Sequence, residues 1–178
     1  HNFLYMTRFI SIIILIIFFH SCGKYQKILK STDYEYKYNQ ALIYYENNDY
    51  NRAMPLFKEL STILKGTSKI QEVDYYYAYC NYAIGDNLVA AYLFRNYTIN
   101  FPNNQHTEEC AYMTAYCFYE EAPAYSLDAT NTYRAINELQ NFVNIYTESS
   151  RIEECNELID QLRSRLSLKA FENAKQYY

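Results

Sequence analysis

Residues 72–94 read EVDYYYAYCNYAIGDNLVAAYLF, and this stretch decides the fold. Ala78 sits among aromatic residues at helical spacing, Gly85 stops the run, Asp86 follows at once, and Ala90 and Phe94 stand four apart. A glycine that accepts a left-handed backbone ends one helix, and an aspartate placed to receive backbone N–H groups opens the next. The unit before it repeats the plan: Glu35, Tyr38, Ala41, Tyr45, Asn48, Asp49, Ala53 and Phe57 each precede their counterparts by 37 residues. Glu109, Tyr112, Ala115 and Tyr119 continue the step (75 − 38 = 112 − 75 = 37). With only 3 Gly and 3 Pro in 178 residues, and little alternation of apolar with polar side chains, the chain reads as all-α.

The order small, aromatic, small, aromatic, with Pro102 closing the second unit, resembles a tetratricopeptide repeat, whose period is about 34 residues. The expected fold is therefore an α-solenoid of stacked helical hairpins. Its small residues Ala41, Ala53, Ala78 and Ala90 allow the paired helices to approach, and Phe57 and Phe94 fill the space beside them. Thr32 to Glu35, Ser68 to Gln71 and Ser150 to Glu153 have the spacing of capping boxes at first-helix starts. Pro55 removes a backbone donor within the second helix of unit one and should bend it slightly.

Unit three keeps its first helix, over about 107–119, and then breaks step. Ala135, Leu139 and Phe142 resume the second-helix pattern 45 rather than 37 residues after Ala90, so eight residues are inserted around 120–128. From Ser150 onward, Ile152, Leu158, Ile159, Leu162 and Leu166 give a long amphipathic helix. Phe171, Ala174 and Tyr177 are expected to open a fourth unit that the chain truncates. The units are thus about 32–66, 68–103, 107–147 and a partial fourth in 150–178, together forming a domain over 32–178.

Arg8, the apolar run from Phe9 to Phe19, and Ser21 before Cys22 have the grammar of a lipoprotein signal. The run is too short to span a bilayer. Residues 1–21 are read as signal, with 1–5 upstream of a start at Met6. Cys22 is read as the lipidated residue, and 22–31 as a lipidated tether. No aspartate or acidic cluster follows Cys22, so the expected location is the periplasmic face of the outer membrane, held by lipid.

The charge of the whole chain is −4, and loss of Arg8 with the signal leaves −5, so nucleic acid is an unfavoured partner. Of 3 histidines only His106 follows Cys22, which leaves no Cys–His, Ser–His or histidine metal constellation to build from. No enzymatic activity, metal or cofactor is expected beyond the covalent lipid on Cys22. Cys80, Cys110, Cys117 and Cys155 lack CxxC spacing and read as buried thiols, with a Cys80–Cys117 bridge between equivalent positions as the alternative.

The stretch APAYSLDATNTYRAINELQNFVNIYTESS (122–150) and the run LIDQLRSRLSLKAFENAKQYY (158–178), with the lipoprotein junction and repeats, resemble the BamD (YfiO) family of outer-membrane assembly lipoproteins. Thr147 departs from the proline that commonly ends the repeat. The resemblance implies a non-enzymatic scaffold of the β-barrel assembly machinery that docks on BamA, meets its other subunits and contacts unfolded outer-membrane protein segments. First helices of such solenoids line the groove. Here the groove positions are Tyr38, Leu42, Tyr45, Tyr75, Tyr79, Tyr82, Tyr112, Tyr116 and Tyr119, so the tyrosines are candidate peptide-binding residues, packing between repeats being their alternative role. Another periplasmic repeat lipoprotein, serving cell-envelope partners or glycan import, is the alternative for the chain.

Overall fold

The computed structural model describes residues 23–122 and 129–175. Seven helices follow in order: α1 (Tyr34–Glu46), α2 (Tyr50–Ile63), α3 (Ile70–Ala83), α4 (Asn87–Asn100), α5 (Thr107–Glu121), α6 (Thr130–Ile145) and α7 (Ile152–Lys175). A short helical segment, 23–29, precedes them. Each helix packs mainly on its neighbours in sequence, and α1 also touches α3. That is the contact pattern of a solenoid of α1/α2, α3/α4 and α5/α6 hairpins, with α7 laid against α6.

The small and aromatic positions form the core as the period requires. Ala41, Ala53, Ala78, Ala90, Phe57 and Phe94 are fully buried. Helix α3 is buried on two sides: Val73 and Cys80 join the unit-one core, while Ala78 joins the next. The first two hairpins turn identically. Asn48 has φ 59° and Gly85 φ 89°, and the N–H of the following aspartate returns five residues to the carbonyl of Tyr44 (2.8 Å) or Asn81 (2.9 Å). Pro55 lies within α2, which runs on without a break in its span.

The helix starts differ from the capping boxes. Asp33, not Thr32, caps α1, accepting from the Tyr36 N–H at 2.9 Å. Lys69 precedes α3 and makes no side-chain cap, while Gln71 instead accepts from Asn104. At α7 it is Ser149, not Ser150, whose hydroxyl meets the backbone, accepting from the Arg151 N–H at 3.2 Å. Asp49 caps α2 at 3.3 Å, but Asp86 makes no side-chain bond to α4. Asp49 and Asp86 have nearly the same backbone, φ −88° and −82° with ψ 62° and 60°, so residue type and corner conformation together still leave the side-chain cap undecided.

Helix α7 takes the first-helix register after unit three. The eight-residue insertion moves the register of Glu109, Cys110 and Cys117 onto Glu154, Cys155 and Leu162, and α7 buries Cys155 and Leu162 completely. Phe171 is 63% exposed and Ala174 is exposed, so neither occupies a first-helix core position; Tyr177 and most of the insertion lie outside the described residues.

All four thiols are free and buried. Burial pushes each of them up from its ordinary 9.0: Cys155 to about 11, Cys80 and Cys117 to about 12. The folded state therefore favours the neutral thiol, and the stability this contributes is complete below about pH 9 and lost as pH climbs toward the folded values. Thermal unfolding followed by circular dichroism should hold a constant midpoint from neutrality to about pH 9 and fall by several degrees by about pH 11. A native-state thiol reagent should meanwhile find no reactive cysteine among these four near neutrality.

Candidate peptide-binding face

The eight tyrosines share the first helices, and their surroundings divide them. Tyr38, Tyr75 and Tyr112 occupy one register, and each donates its hydroxyl to the first-turn glutamate of the next first helix. The pairs are Tyr38 to Glu72 at 2.6 Å, Tyr75 to Glu109 at 3.1 Å and Tyr112 to Glu154 at 2.8 Å, separated by 34, 34 and 42 residues. Three residues before each glutamate a second side chain covers the same ring. The Lys69 ammonium lies 4.3 Å from the Tyr38 ring centre, the His106 ring 4.3 Å from that of Tyr75, and the Arg151 guanidinium 4.1 Å from that of Tyr112. A phenol with its edge donating to carboxylate and its face under a cation uses both halves of its charge distribution.

The three clasped rings are not equally covered. Tyr38 and Tyr112 are only 5% and 4% exposed, packed edge-on against Phe57 and Phe142. Those two are corrected from groove contacts to mortar between units. Tyr75 and Tyr79 remain half-buried, both donating to Glu109, with Tyr79 also edge-on to Phe94. Burial first, then the glutamate, pushes the Tyr38, Tyr75, Tyr79 and Tyr112 hydroxyls far above their ordinary 10.0. They are held as neutral donors.

Toward the other end of the first helices the arrangement loosens. Tyr45, Tyr82, Tyr116 and Tyr119 are all partly exposed. Tyr119 donates to Gln161 at 2.7 Å and accepts from Arg165 at 3.1 Å. The Tyr82 and Tyr116 rings meet edge to face at 6.4 Å, and burial followed by Glu120 raises the Tyr116 hydroxyl to about 12. Tyr45 packs on Tyr76 at 4.9 Å. Neither Tyr45 nor Tyr82 has a hydroxyl hydrogen bond among the described residues. Near the first turns of α3 and α5 a polar cleft of about 400 Å³ opens beside Glu72, Tyr75, Tyr97 and His106.

The covering side chains and Glu154 were not singled out by the sequence pattern, yet a signal was present. Lys69, His106 and Arg151 repeat with the same step of 37 and then 45 that the insertion imposes, as do Glu72, Glu109 and Glu154. No grouping of His, Cys, Asp or Glu among the described residues could hold a metal ion. No described helix is long and apolar enough to cross a membrane, and Cys22 lies outside the described residues.

Removing one hydroxyl while keeping the ring tests the clasp. Tyr38→Phe should cost about 1 kcal/mol in urea unfolding, toward the lower end for a bond to a charged group because Glu72 is exposed. Tyr82→Phe should be neutral in the same measurement.

A search among curated proteins finds no match to the chain. The family model described as YfiO, outer membrane lipoprotein, matches residues 31–178, which is nearly the whole stack of hairpins just described. With its helical repeats in the register that this match spans, the chain belongs to the YfiO family of outer-membrane lipoproteins.

Proposed function

We propose that the protein is a lipid-anchored, non-enzymatic scaffold of the machinery that assembles outer-membrane β-barrels. In this reading it docks on BamA and other subunits, and transiently holds unfolded barrel segments against the looser ends of its first helices. The observation that carries the client role is the set of partly exposed rings of Tyr45, Tyr82, Tyr116 and Tyr119, two of them without a hydroxyl hydrogen bond among the described residues. Tyr75 and Tyr79 border the same face with their hydroxyls already committed to Glu109.

The physical chemistry fits a weak, reversible contact. An extended chain that alternates aromatic and polar side chains can lay its rings on phenol faces and its backbone against hydroxyl tips. One aromatic anchor burying about 150–250 Å² at about 25 cal/mol/Å² grosses roughly 4–6 kcal/mol, offset by ordering costs of similar size. Affinity per site then stays low, as release requires. The buried rings Tyr38 and Tyr112 contribute only by keeping the first helices in register.

Two measurements test this. Tyr82→Ala combined with Tyr116→Ala should weaken binding of an aromatic-ended barrel peptide about tenfold in fluorescence anisotropy. Helicity should be nearly unchanged, and an unaltered affinity in the folded double variant would remove the client role from this face. Separately, Cys22→Ser should leave the chain without lipid and release it from outer-membrane fractions. Retention in that fraction with BamA depleted would overturn the anchor.

A further inference from the structure

The segment that follows Cys22 is not a loose tether. Residues 23–29 are helical, and the helix is seated on unit one. Ile28 is completely buried beside Ala41, Ala53 and Leu56. Tyr25 stands edge-on to Tyr44 at 5.7 Å and donates its hydroxyl to the Arg52 carbonyl at 3.0 Å. Lys37, 1% exposed, bonds the Leu29 carbonyl at 3.0 Å and Glu59 at 2.7 Å, tying the segment to both α1 and α2. Leaving that ammonium without its partners would cost far more than a surface pair, so the joint is firm.

The outer side of the same segment is basic. Lys24, Lys27 and Lys30 are exposed: Lys27 is on the side of the helix away from Tyr25, Ile28 and Leu29, Lys24 flanks that side, and Lys30 follows the helix end. None of the three side chains has an ion pair or hydrogen bond among the described residues. On the hairpin that the segment packs against, Asp49 pairs with Arg52 at 3.1 Å, Glu59 with Lys37, and Asp33 caps the first turn of α1. This local positive face belongs to a chain whose total charge is −4.

Resting on the reading of Cys22 as the lipidated residue, we propose that Lys24, Lys27 and Lys30 form a docking face for anionic phospholipid headgroups, which fixes how the domain stands on its membrane. At about 1.5 Å per helical residue, Lys24 and Lys27 lie roughly 2 and 6 Å along the helix from Gly23, the residue after the anchored one. Both are within about one screening length of the lipid surface at physiological salt. Charged lipid therefore acts on them at close range, while Ile28 and Lys37 transmit that orientation to the first hairpin without a flexible joint. The free ends of the solenoid are then carried away from the bilayer at a set angle.

Lysine acetylation footprinting of the full chain in vesicles, read by mass spectrometry, tests this. Relative to exposed Lys65, labelling of Lys24, Lys27 and Lys30 should slow about fivefold on phosphatidylglycerol-containing vesicles compared with pure phosphatidylcholine. The protection should vanish at ~1 M salt, where the screening length is about 3 Å. Equal labelling on both vesicles overturns the proposal, as does protection that persists on the zwitterionic vesicle or in high salt. The mass of the amino-terminal peptide separates the two readings. A lipidated Cys22 with unprotected lysines defeats the docking face alone. An unlipidated Cys22 defeats the anchor, and labelling of that unlipidated chain added to the same two vesicles then reports on the lysines alone.

Discussion

The register of one first helix on the next rests on one bond made three times, a tyrosine hydroxyl donated to the first-turn glutamate of the next first helix. Second helices pack beside their own hairpin partners through alanine and phenylalanine, and that contact is slippery, since apolar surfaces tolerate small shifts. The clasp is directional. It fixes the rotation of each first helix against the next, and the cation or imidazole over the ring closes the remaining side. Between the second helices α4 and α6, Arg95 and Glu138 form an ion pair at 2.5 Å. A repeat protein distributes its stability over such neighbour terms, so no single one holds the whole.

The clasp also partitions the tyrosines by role. At the end of the first helices where glutamates and cations gather, phenols are consumed by the stack; at the other end, where the hairpins turn, they are left partly open. Function is drawn from what structure leaves unspent. A face built this way needs no separate binding residues, because the same side chain type serves both tasks according to its distance from the helix start.

Much of the fold was legible because the period is a long-range signal that survives local ambiguity. Ala41, Ala78, Phe57 and Phe94 occupy the seats that the step of 37 assigned them, and Gly85 and Asn48 make the same turn. What escaped was geometry that residue type underdetermines. Asp33 rather than Thr32 caps α1 because the corner falls one residue later. Tyr38 and Tyr112 look identical to Tyr45 and Tyr119 in one dimension, and only the neighbouring helix shows which rings are covered. Lys37 is a buried charge that the repeat pattern does not mark, since its partners Leu29 and Glu59 come from other segments.

The insertion in unit three carries a lesson about how such chains grow. The clasp spans 34 residues twice and 42 the third time, yet its donor, its acceptor and the covering side chain keep the same arrangement. Eight additional residues are absorbed within a hairpin without the lattice of helices registering them. The number of residues at that corner is thereby uncoupled from the tie between one first helix and the next.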